Sequence, residues 1–326
     1  MATVKDVAKI ANVSSSTVSR FIRHPEMVTE SKRKRIEAAI EKAGYVRNLN
    51  ASTLKSNTSN LVGIILPAEH NLFFSSMVNL LNKSLLPEKR LIVLYAENFE
   101  EVKTNVSLLL SLRAASVLFI PEKKSHTIRT LTVSNGCYPL QLFVDNFSAF
   151  DSILVDDRQG AYLAEKMLLE HGHRRTLLID GDNDVFHKRA DGYRAAIEEA
   201  GLPFDERSVL SLHSMADCED VMFSYIREYQ PTAIICVTEL LAQRLCFRLE
   251  KEHISIPQDI SLIVYDDSPW SSLCGHTAIS QPLETIVENI SRLVKMNTQK
   301  GRVAGDTPTK IQVQPFLVER KSVKTI

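Results

Sequence analysis

The sequence predicts an α/β protein with a small helical N-terminal unit and a larger unit of two open, mostly parallel sheets. Its 326 residues, 44% of them hydrophobic, are enough for two or three domains with a full core. From residue 61 onward, short apolar runs alternate with stretches of helical period. Basic charge is concentrated near the N-terminus: residues 1–60 contain eleven Lys and Arg against five Asp and Glu, whereas the rest contains 28 against 34.

The first 47 residues predict three short helices. Thr3, Ser14 and Thr29 are candidate N-caps, and Asn12 tolerates the left-handed turn between the first two helices. Two helices joined by so short a turn form a helix-turn-helix, whose second helix enters the major groove of DNA. A net charge of +6 in residues 1–60 favours the same polyanionic partner. We expect the two helices to bury Val4, Val7, Ala8, Ile10, Ala11, Val18, Phe21 and Ile22.

Several motifs in the first 60 residues carry a family resemblance. They are T-V-K-D-V-A-K-I-A-N-V-S-S-S-T-V-S-R, then P-E-x-V-T, K-R-I-x-x-A-I-x-x-x-G-Y and N-x-x-A-S-x-L-K. In this order they resemble the LacI/GalR family of bacterial transcription regulators. The resemblance implies that Ser15 and Ser16 are the principal base-reading residues and that Arg20 makes another groove contact. The candidate contacts to double-stranded operator DNA in residues 1–47 are Thr3, Ser14, Ser15, Ser16, Ser19, Arg20, Thr29 and Lys32.

Residues 48–60 are polar and lack a strong apolar stripe, so by themselves they predict either a linker or a weak helix. The resemblance implies a hinge helix that orders on the operator and inserts Leu54 between base pairs from the minor groove. Ala51 matches the small residue at the hinge-hinge contact, and Lys55 is a candidate DNA contact. Two residues depart from the family pattern, Arg47 for proline and Ser52 for arginine.

Residues 61–326 predict two Rossmann-like lobes, because the near-continuous apolar runs occur in two series and are typical of parallel strands covered on both faces. The resemblance implies a body like that of periplasmic binding proteins. Ligands of such sheets bind beyond the carboxyl ends of the strands, which here border a cleft between the lobes. The predicted strands are 61–66, 91–95, 116–120 and 140–144, then 175–180, 208–212, 232–237 and 261–265, with helices at about 158–171, 187–200, 217–229 and 239–252.

Polar and aromatic side chains follow several of these strands. The resemblance, which extends over V-D-D-x-x-G-A, R-A-D-G-Y and V-Y-D-D, makes Arg189 and Asp266 the best effector contacts, a donor fork and an acceptor that suit vicinal hydroxyls or a carboxylate. The alternative is a structural ion pair between them. Phe73 and Phe74 either stack on a sugar ring or belong to the core. The candidate effector contacts are Asn71, Phe73, Phe74, Asp145, Arg189, Thr238 and Asp266.

Three residues leave questions open. Thr238 and Glu239 stand where the family usually has Asn-Asp. Trp270 lies either near the cleft mouth or in lobe packing.

These features predict a dimeric repressor of a carbohydrate-utilisation operon that responds to a sugar or sugar acid. Two fragments, S-R-F-I-R-H-P-E and S-H-T-I-R-T-L, are similar to the gluconate and idonate repressors. Alternatives are the same architecture with a nucleobase or phosphoprotein corepressor and, in another class, a solute-binding transport protein. The basic N-terminal unit and the missing signal sequence argue against transport.

No enzyme, cofactor or metal site is expected. The sequence contains no H-E-x-x-H, nucleophile elbow or P-loop, and its five cysteines have no C-x-x-C spacing. The longest apolar runs are the length of a strand and too short to cross a bilayer. Scattered cysteines favour a reducing compartment, so a cytoplasmic location is expected.

Overall fold

The structure is a computed structural model, and it describes residues 2–45, 59–68, 71–120, 126–146, 148–181, 184–212, 218–300 and 307–326. The chain forms two compact units, Met1–Ser59 and Asn60–Ile326. Each unit is described by itself below. Within the described residues, no helix is long and apolar enough to cross a membrane.

The N-terminal unit contains the three predicted helices, α1 (Val4–Ala11), α2 (Ser15–Arg23) and α3 (Glu30–Ala43). Asn12 ends α1 in the left-handed conformation with φ 49°, as predicted, and Gly44 ends α3 in the same conformation. Ile10 was expected to be buried but is 43% exposed, because only Val7, Ala8 and Ala11 of α1 enter the core. The core of this unit consists of Val7, Ala8, Ala11, Val18, Phe21, Val28, Ile36 and Ala39.

The larger unit begins with lobe 1, a six-stranded parallel sheet. Its strands are β1 (Leu61–Pro67), β2 (Arg90–Ala96), β3 (Ser116–Phe119), β4 (Tyr138–Leu142), β5 (Asp151–Val155) and β11 (Lys310–Val313), in the order β11-β5-β4-β3-β1-β2. One face packs on α4 (Leu72–Leu85) and α12 (Leu283–Lys300), and the other packs on α5 (Phe99–Ser111) and α6 (His126–Ser134). Alternate strand residues enter two separate cores, which explains the near-continuous apolar runs.

Lobe 2 repeats this architecture. Its sheet has the order β12-β10-β9-β8-β6-β7, in which β12 alone is antiparallel. The strands are β6 (Thr176–Gly181), β7 (Val209–Leu212), β8 (Ala233–Cys236), β9 (Ser261–Tyr265), β10 (Thr277–Ser280) and β12 (Phe316–Val318). The helices are α7 (Asp157–Glu170), α8 (Asp184–Glu199), α9 (Cys218–Tyr229), α10 (Glu239–Lys251) and the short α11 (Pro269–Leu273).

The chain crosses between the lobes three times in the described residues. It passes from β5 to α7, from β10 to α12, and from β11 to β12. Gln314 in the last crossing donates a hydrogen bond to Asp156 Oδ2 in the first, at 3.4 Å. Several thin connections side by side permit the lobes to move relative to each other, as in hinged domains.

Helices α7 and α8 pack unusually closely. A Cβ atom added to Gly192 of α8 would lie 1.9 Å from the carbonyl oxygen of Arg158 on α7, which is far below any real contact. Only glycine is therefore accommodated at this crossing without moving the helices. The close approach brings together the N-terminal turn of α7 and the second turn of α8, where Arg189 lies.

The structure corrects several predicted boundaries. The fourth strand spans 138–142 rather than 140–144, because Phe143 has φ 64° and turns the chain out of the sheet. Strands β5, β10, β11 and β12 were not predicted. Arg189 was placed at the start of a helix but lies inside α8, which begins at Asp184. Trp270 belongs to lobe packing, since it packs against the core of lobe 2 and lies 5.0 Å from the His276 ring.

Candidate DNA-binding face and effector site

Helix α2 presents a polar surface at its N-terminus. Ser14 caps the helix by accepting a hydrogen bond from the Thr17 backbone N–H at 3.2 Å. Ser15, Ser16 and Arg20 are exposed, as predicted, while the apolar side of the helix faces the core. The Ser16 hydroxyl lies 2.8 Å from that of Ser14, so it is already engaged in a local hydrogen bond.

The other predicted DNA contacts of this unit lie at helix ends. Thr3 forms a capping box with Asp6, and the hydrogen bonds from Thr3 lower the pKa of the Asp6 carboxyl. Thr29 precedes α3 but makes no side-chain capping bond. Lys32 is exposed on α3. The predicted hinge contacts Ala51, Leu54 and Lys55 lie outside the described residues.

Lobe 2 contains a buried ion pair at the carboxyl ends of its strands. Arg189 Nε donates to Asp157 Oδ1 at 2.8 Å, and Nη2 lies 2.7 Å from the same oxygen. The third nitrogen, Nη1, donates to the carbonyl of Val237, and the guanidinium lies 3.9 Å from the centre of the Tyr265 ring. Burial by itself lowers the pKa of Arg189, but the charge and hydrogen bond of Asp157, together with Tyr265 and Asp266, more than reverse this effect.

Asp266 lies beside this pair, at the end of β9. It is 7% exposed, has φ 70°, and accepts a hydrogen bond from Gln281 Nε2 at 2.5 Å. Burial raises the pKa of the Asp266 carboxyl to about 6, although Arg189 and Gln281 oppose the rise. The alternative of a structural ion pair between Arg189 and Asp266 is therefore wrong. Arg189 does form a buried ion pair, but its partner is Asp157.

Thr238 and Glu239 begin α10, immediately after β8. Thr238 caps the helix by accepting from the Leu241 N–H at 3.3 Å. The Glu239 carboxylate is buried, and its Oε1 accepts from Gln243 at 3.0 Å and from Ser268 at 2.7 Å. Its other oxygen, Oε2, is also buried but accepts no hydrogen bond from any described residue. Thr238 is thus a structural cap, whereas Glu239 retains an unused acceptor.

An aromatic cluster lies at the carboxyl ends of the strands in lobe 1. The rings of Phe73, Phe74 and Phe143 lie 5.6–5.9 Å apart in edge-to-face and tilted arrangements. Phe73 and Phe74 are half-buried and also pack against the core. Asn71 caps α4 by accepting from the Phe73 N–H at 2.8 Å. These contacts agree with the core alternative for the phenylalanines, and stacking on a ligand stays a prediction.

Asp145 is engaged elsewhere in lobe 1. Its carboxylate forms an ion pair with Lys310, the first residue of β11, and accepts from Gln141 at 3.1 Å. The structure therefore connects Arg189 with Asp157 and Tyr265, and Phe73 with Phe74 and Phe143, but Asp145 belongs to a separate pair.

The candidate list left out Asp157, Tyr265, Gln281 and Phe143, and Glu239 was noted only as a departure from the family pattern. The D-D pair of the V-D-D motif was visible but gave no indication that its second member would meet Arg189, 32 residues away. Gln281 was also visible, in I-S-Q-P. Within the described part of the chain, no group of three His, Cys, Asp or Glu is arranged to hold a metal ion.

Taken together, a helix-turn-helix unit and a two-lobed α/β body with a polar cluster at its strand ends define a ligand-binding regulator that recognises DNA. Comparison with known families agrees. Residues 3–48 match the family model for bacterial regulatory proteins of the lacI family, and residues 166–323 match a periplasmic binding protein-like domain. The chain belongs to the LacI family and is a DNA-binding transcriptional regulator.

Individual relatives cover the whole chain. The transcriptional repressor PurR of Vibrio atlanticus (strain LGP32) is 27% identical over 100% of both chains. A lac repressor dimer bound to operator and an anti-inducer has a TM-score of 0.82 at 21% identity, covering 99% of each chain. A regulator CelR in complex with cellobiose has a TM-score of 0.72 at 20% identity, covering 99% of this chain and 100% of that one. At these identities the structural matches establish the fold.

Proposed function

We propose that this protein is a transcriptional repressor that binds a two-fold operator as a homodimer and responds to a small molecule held near Arg189 and Asp266. The observation that carries the proposal is the combination of the exposed polar face of α2 with buried charge at the strand ends of lobe 2. Burying ionised groups costs free energy unless they are well paired, and clusters of such groups are typical of functional sites. Operator binding also implies a cytoplasmic location.

For the effector, we favour the nucleobase alternative over the sugar or sugar acid that the sequence first suggested. The curated relatives that match the chain from end to end are repressors named PurR. The cellobiose regulator, by contrast, matches only at the level of fold. The half-buried rings of Phe73 and Phe74 also suit a flat heterocycle, on which aromatic rings stack or pack by their edges.

The mechanism that we propose is linkage between the two ligands. An effector between the lobes favours one lobe arrangement, and that arrangement promotes or prevents pairing of the two hinge segments on the operator. DNA and effector must then change each other's affinity by the same factor. The three chain crossings between the lobes would permit such a movement of one lobe relative to the other. Two of these crossings are joined by the hydrogen bond from Gln314 to Asp156.

Asp266→Asn is the variant that tests this function. An asparagine retains the acceptor for Gln281 but removes the charge, so the protein should fold, bind operator at low salt and lose its response to effector. Fluorescence anisotropy with labelled operator, with and without nucleobases, measures the response. Asp267→Asn is the matched control, because the neighbouring Asp267 is paired with Arg320 at 2.7 Å. An Asp266→Asn protein with a normal effector response would contradict the site.

Arg189→Ala is a poor test, since it would leave Asp157 buried without its cation and destabilise the protein as a whole.

The predicted hinge helix, residues 48–60, has its own test. We propose that Leu54 inserts into the operator, so Leu54→Ala should weaken specific binding and reduce DNA bending while effector binding stays intact. A circular-permutation assay compares the bend angles. Equal bends for both proteins would remove Leu54 from intercalation.

A further inference from the structure

The charges at the strand ends of lobe 2 do not balance among the described residues. Asp157, Glu239 and Asp266 are 2–7% exposed, and Arg189, at 5% exposed, is the cation that lies among them. Arg189 already directs Nε and Nη2 to Asp157 and Nη1 to the Val237 carbonyl. Each of its three nitrogens is therefore already bonded within the protein, and acidic side chains outnumber basic ones among the described residues of the site.

Glu239 is the clearest sign of this excess. Its Oε1 accepts two hydrogen bonds, from Gln243 and Ser268, whereas its buried Oε2 accepts none from the part of the chain that the structure describes. A buried carboxylate oxygen without a donor is unfavourable, since nothing replaces the water that it has lost. The same carboxylate contributes to the raised pKa of Asp266, so the two acids are close enough to repel each other. A ligand that brought hydrogen-bond donors to this place would satisfy Glu239 Oε2 and reduce the repulsion between the two acids.

From these observations we infer that Glu239 determines the specificity of the effector site by accepting a hydrogen bond from an N–H group of the effector and by disfavouring anionic effectors. The inference rests on the proposed function, that a small molecule binds near Arg189 and Asp266.

The chemistry that fits is a flat heterocycle with an exocyclic amino group. Its N–H donors complement the free acceptors of lobe 2, and its ring complements the phenylalanine cluster of lobe 1. A carboxylate or phosphate fits poorly, because it would place a further negative charge beside the buried acids. Among the described residues of the site, Arg189 is the cation that could offset this charge, and it is already bonded to Asp157. A sugar acid is therefore disfavoured at this site.

Calorimetric titration of the full-length protein at neutral pH tests the inference. The probes are adenine, guanine, cytosine and their nucleosides, each nucleoside paired with its 5′-monophosphate, and glucose paired with gluconate. We expect at least one base or nucleoside to bind, and the matching monophosphate to bind about tenfold more weakly or worse.

The variant Glu239→Gln separates specificity from structure. Its amide oxygen still accepts from Gln243 and Ser268, but an NH₂ group replaces the unused acceptor. We expect it to bind the base or nucleoside about tenfold more weakly and to lose most of the discrimination against the monophosphate. Glu165→Gln is the matched control, because Glu165 is also buried in lobe 2 and also has one oxygen without a donor. Its ligand preference should stay that of the natural protein.

Four results would overturn the inference: gluconate or a monophosphate as the tightest ligand, glucose as the only ligand, no binding by any probe, or equal base affinity in the natural protein and Glu239→Gln. Failure of the proposed function looks different. A base that binds through Glu239 without changing operator affinity would contradict regulation and leave the base preference in place.

Discussion

The polar groups of the two candidate binding regions differ in their exposure and in their hydrogen bonding. On α2, Ser15 and Arg20 are exposed, so their hydrogen-bonding capacity is met by water until DNA replaces it. At the strand ends of lobe 2, Asp157 and Arg189 are buried and bonded to each other before any ligand arrives. The first region should therefore contribute to binding with little effect on stability. The second should link ligand binding to the stability of the lobe.

The sharpest test of this comparison is Asp157→Ala. The substitution leaves the Arg189 charge buried without its partner, and it should lower the free energy of unfolding by about 3–5 kcal/mol. Urea denaturation measures the loss. Asp205→Ala is the control: its ion pair with Arg207 at 2.9 Å is solvent-exposed, so its loss should be much smaller. Equal losses in the two variants would show that burial does not distinguish the pairs.

A second test uses a buried acid in lobe 2 that has no cation. Glu165 accepts a hydrogen bond from Thr176 at 2.9 Å, and burial raises the pKa of its carboxyl to about 8. Because the folded-state pKa lies above the unfolded one, this group stabilises the fold most at low pH, and the contribution is lost as pH rises towards 8.

Glu165→Gln should remove that dependence. Between about pH 5 and 8 the natural protein should lose a few kcal/mol relative to the variant, since each pKa unit corresponds to about 1.4 kcal/mol. Denaturation at a series of pH values measures the difference. Parallel pH profiles for the two proteins would mean that Glu165 is ionised in the fold.

The third test concerns the exposed region. Arg20→Ala should weaken operator binding by about 1–3 kcal/mol if the side chain reads a base. It should leave the free energy of unfolding within about 0.5 kcal/mol, because an exposed side chain is lost. Anisotropy with operator variants measures both affinity and base preference. Lys42→Ala, in the last turn of α3, is the control cation. An unchanged preference among operator variants would remove Arg20 from direct readout.

The smallest expected effect separates two adjacent serines. Ser14→Ala removes the cap of α2 and should destabilise the N-terminal unit by about 1 kcal/mol. Ser15→Ala should affect operator binding without this loss, since Ser15 lies in the first turn with its side chain exposed. Thermal unfolding and operator titration of both variants give the comparison. Equal destabilisation by the two substitutions would contradict the assignment of the cap.

Local chemistry made parts of this structure predictable. The caps at Thr3 and Ser14 and the left-handed Asn12 follow from interactions between residues at most four positions apart, so the sequence displays them directly. Strands β1 and β2 followed from apolar runs. The end of β4 did not, because Phe143 and Val144 are as apolar as a strand continuation, and only the φ of Phe143 marks the turn.

The effector cluster was harder to predict for a related reason. Arg189 and Asp266 were predicted as effector contacts because the family resemblance marks them and because their chemical types suit a polar ligand. Their partners, Asp157 and Gln281, come from α7 and from the crossing after β10, and the three-dimensional packing of the lobe brings them there. No spacing along the chain encodes such a meeting. The strands β5 and β11 were missed because they are short and begin with charged residues.

Gly192, at the crossing of α7 and α8, influences the Arg189–Asp157 ion pair without belonging to it. Gly192 lies one turn after Arg189, and Arg158 follows Asp157, so the spacing between these two helices also sets the reach of the ion pair. Any larger residue at 192 would push the helices apart and stretch the pair. The geometry of the proposed effector site is therefore open to evolutionary change through a residue outside the Arg189 ion pair, which acts as a spacer between two helices.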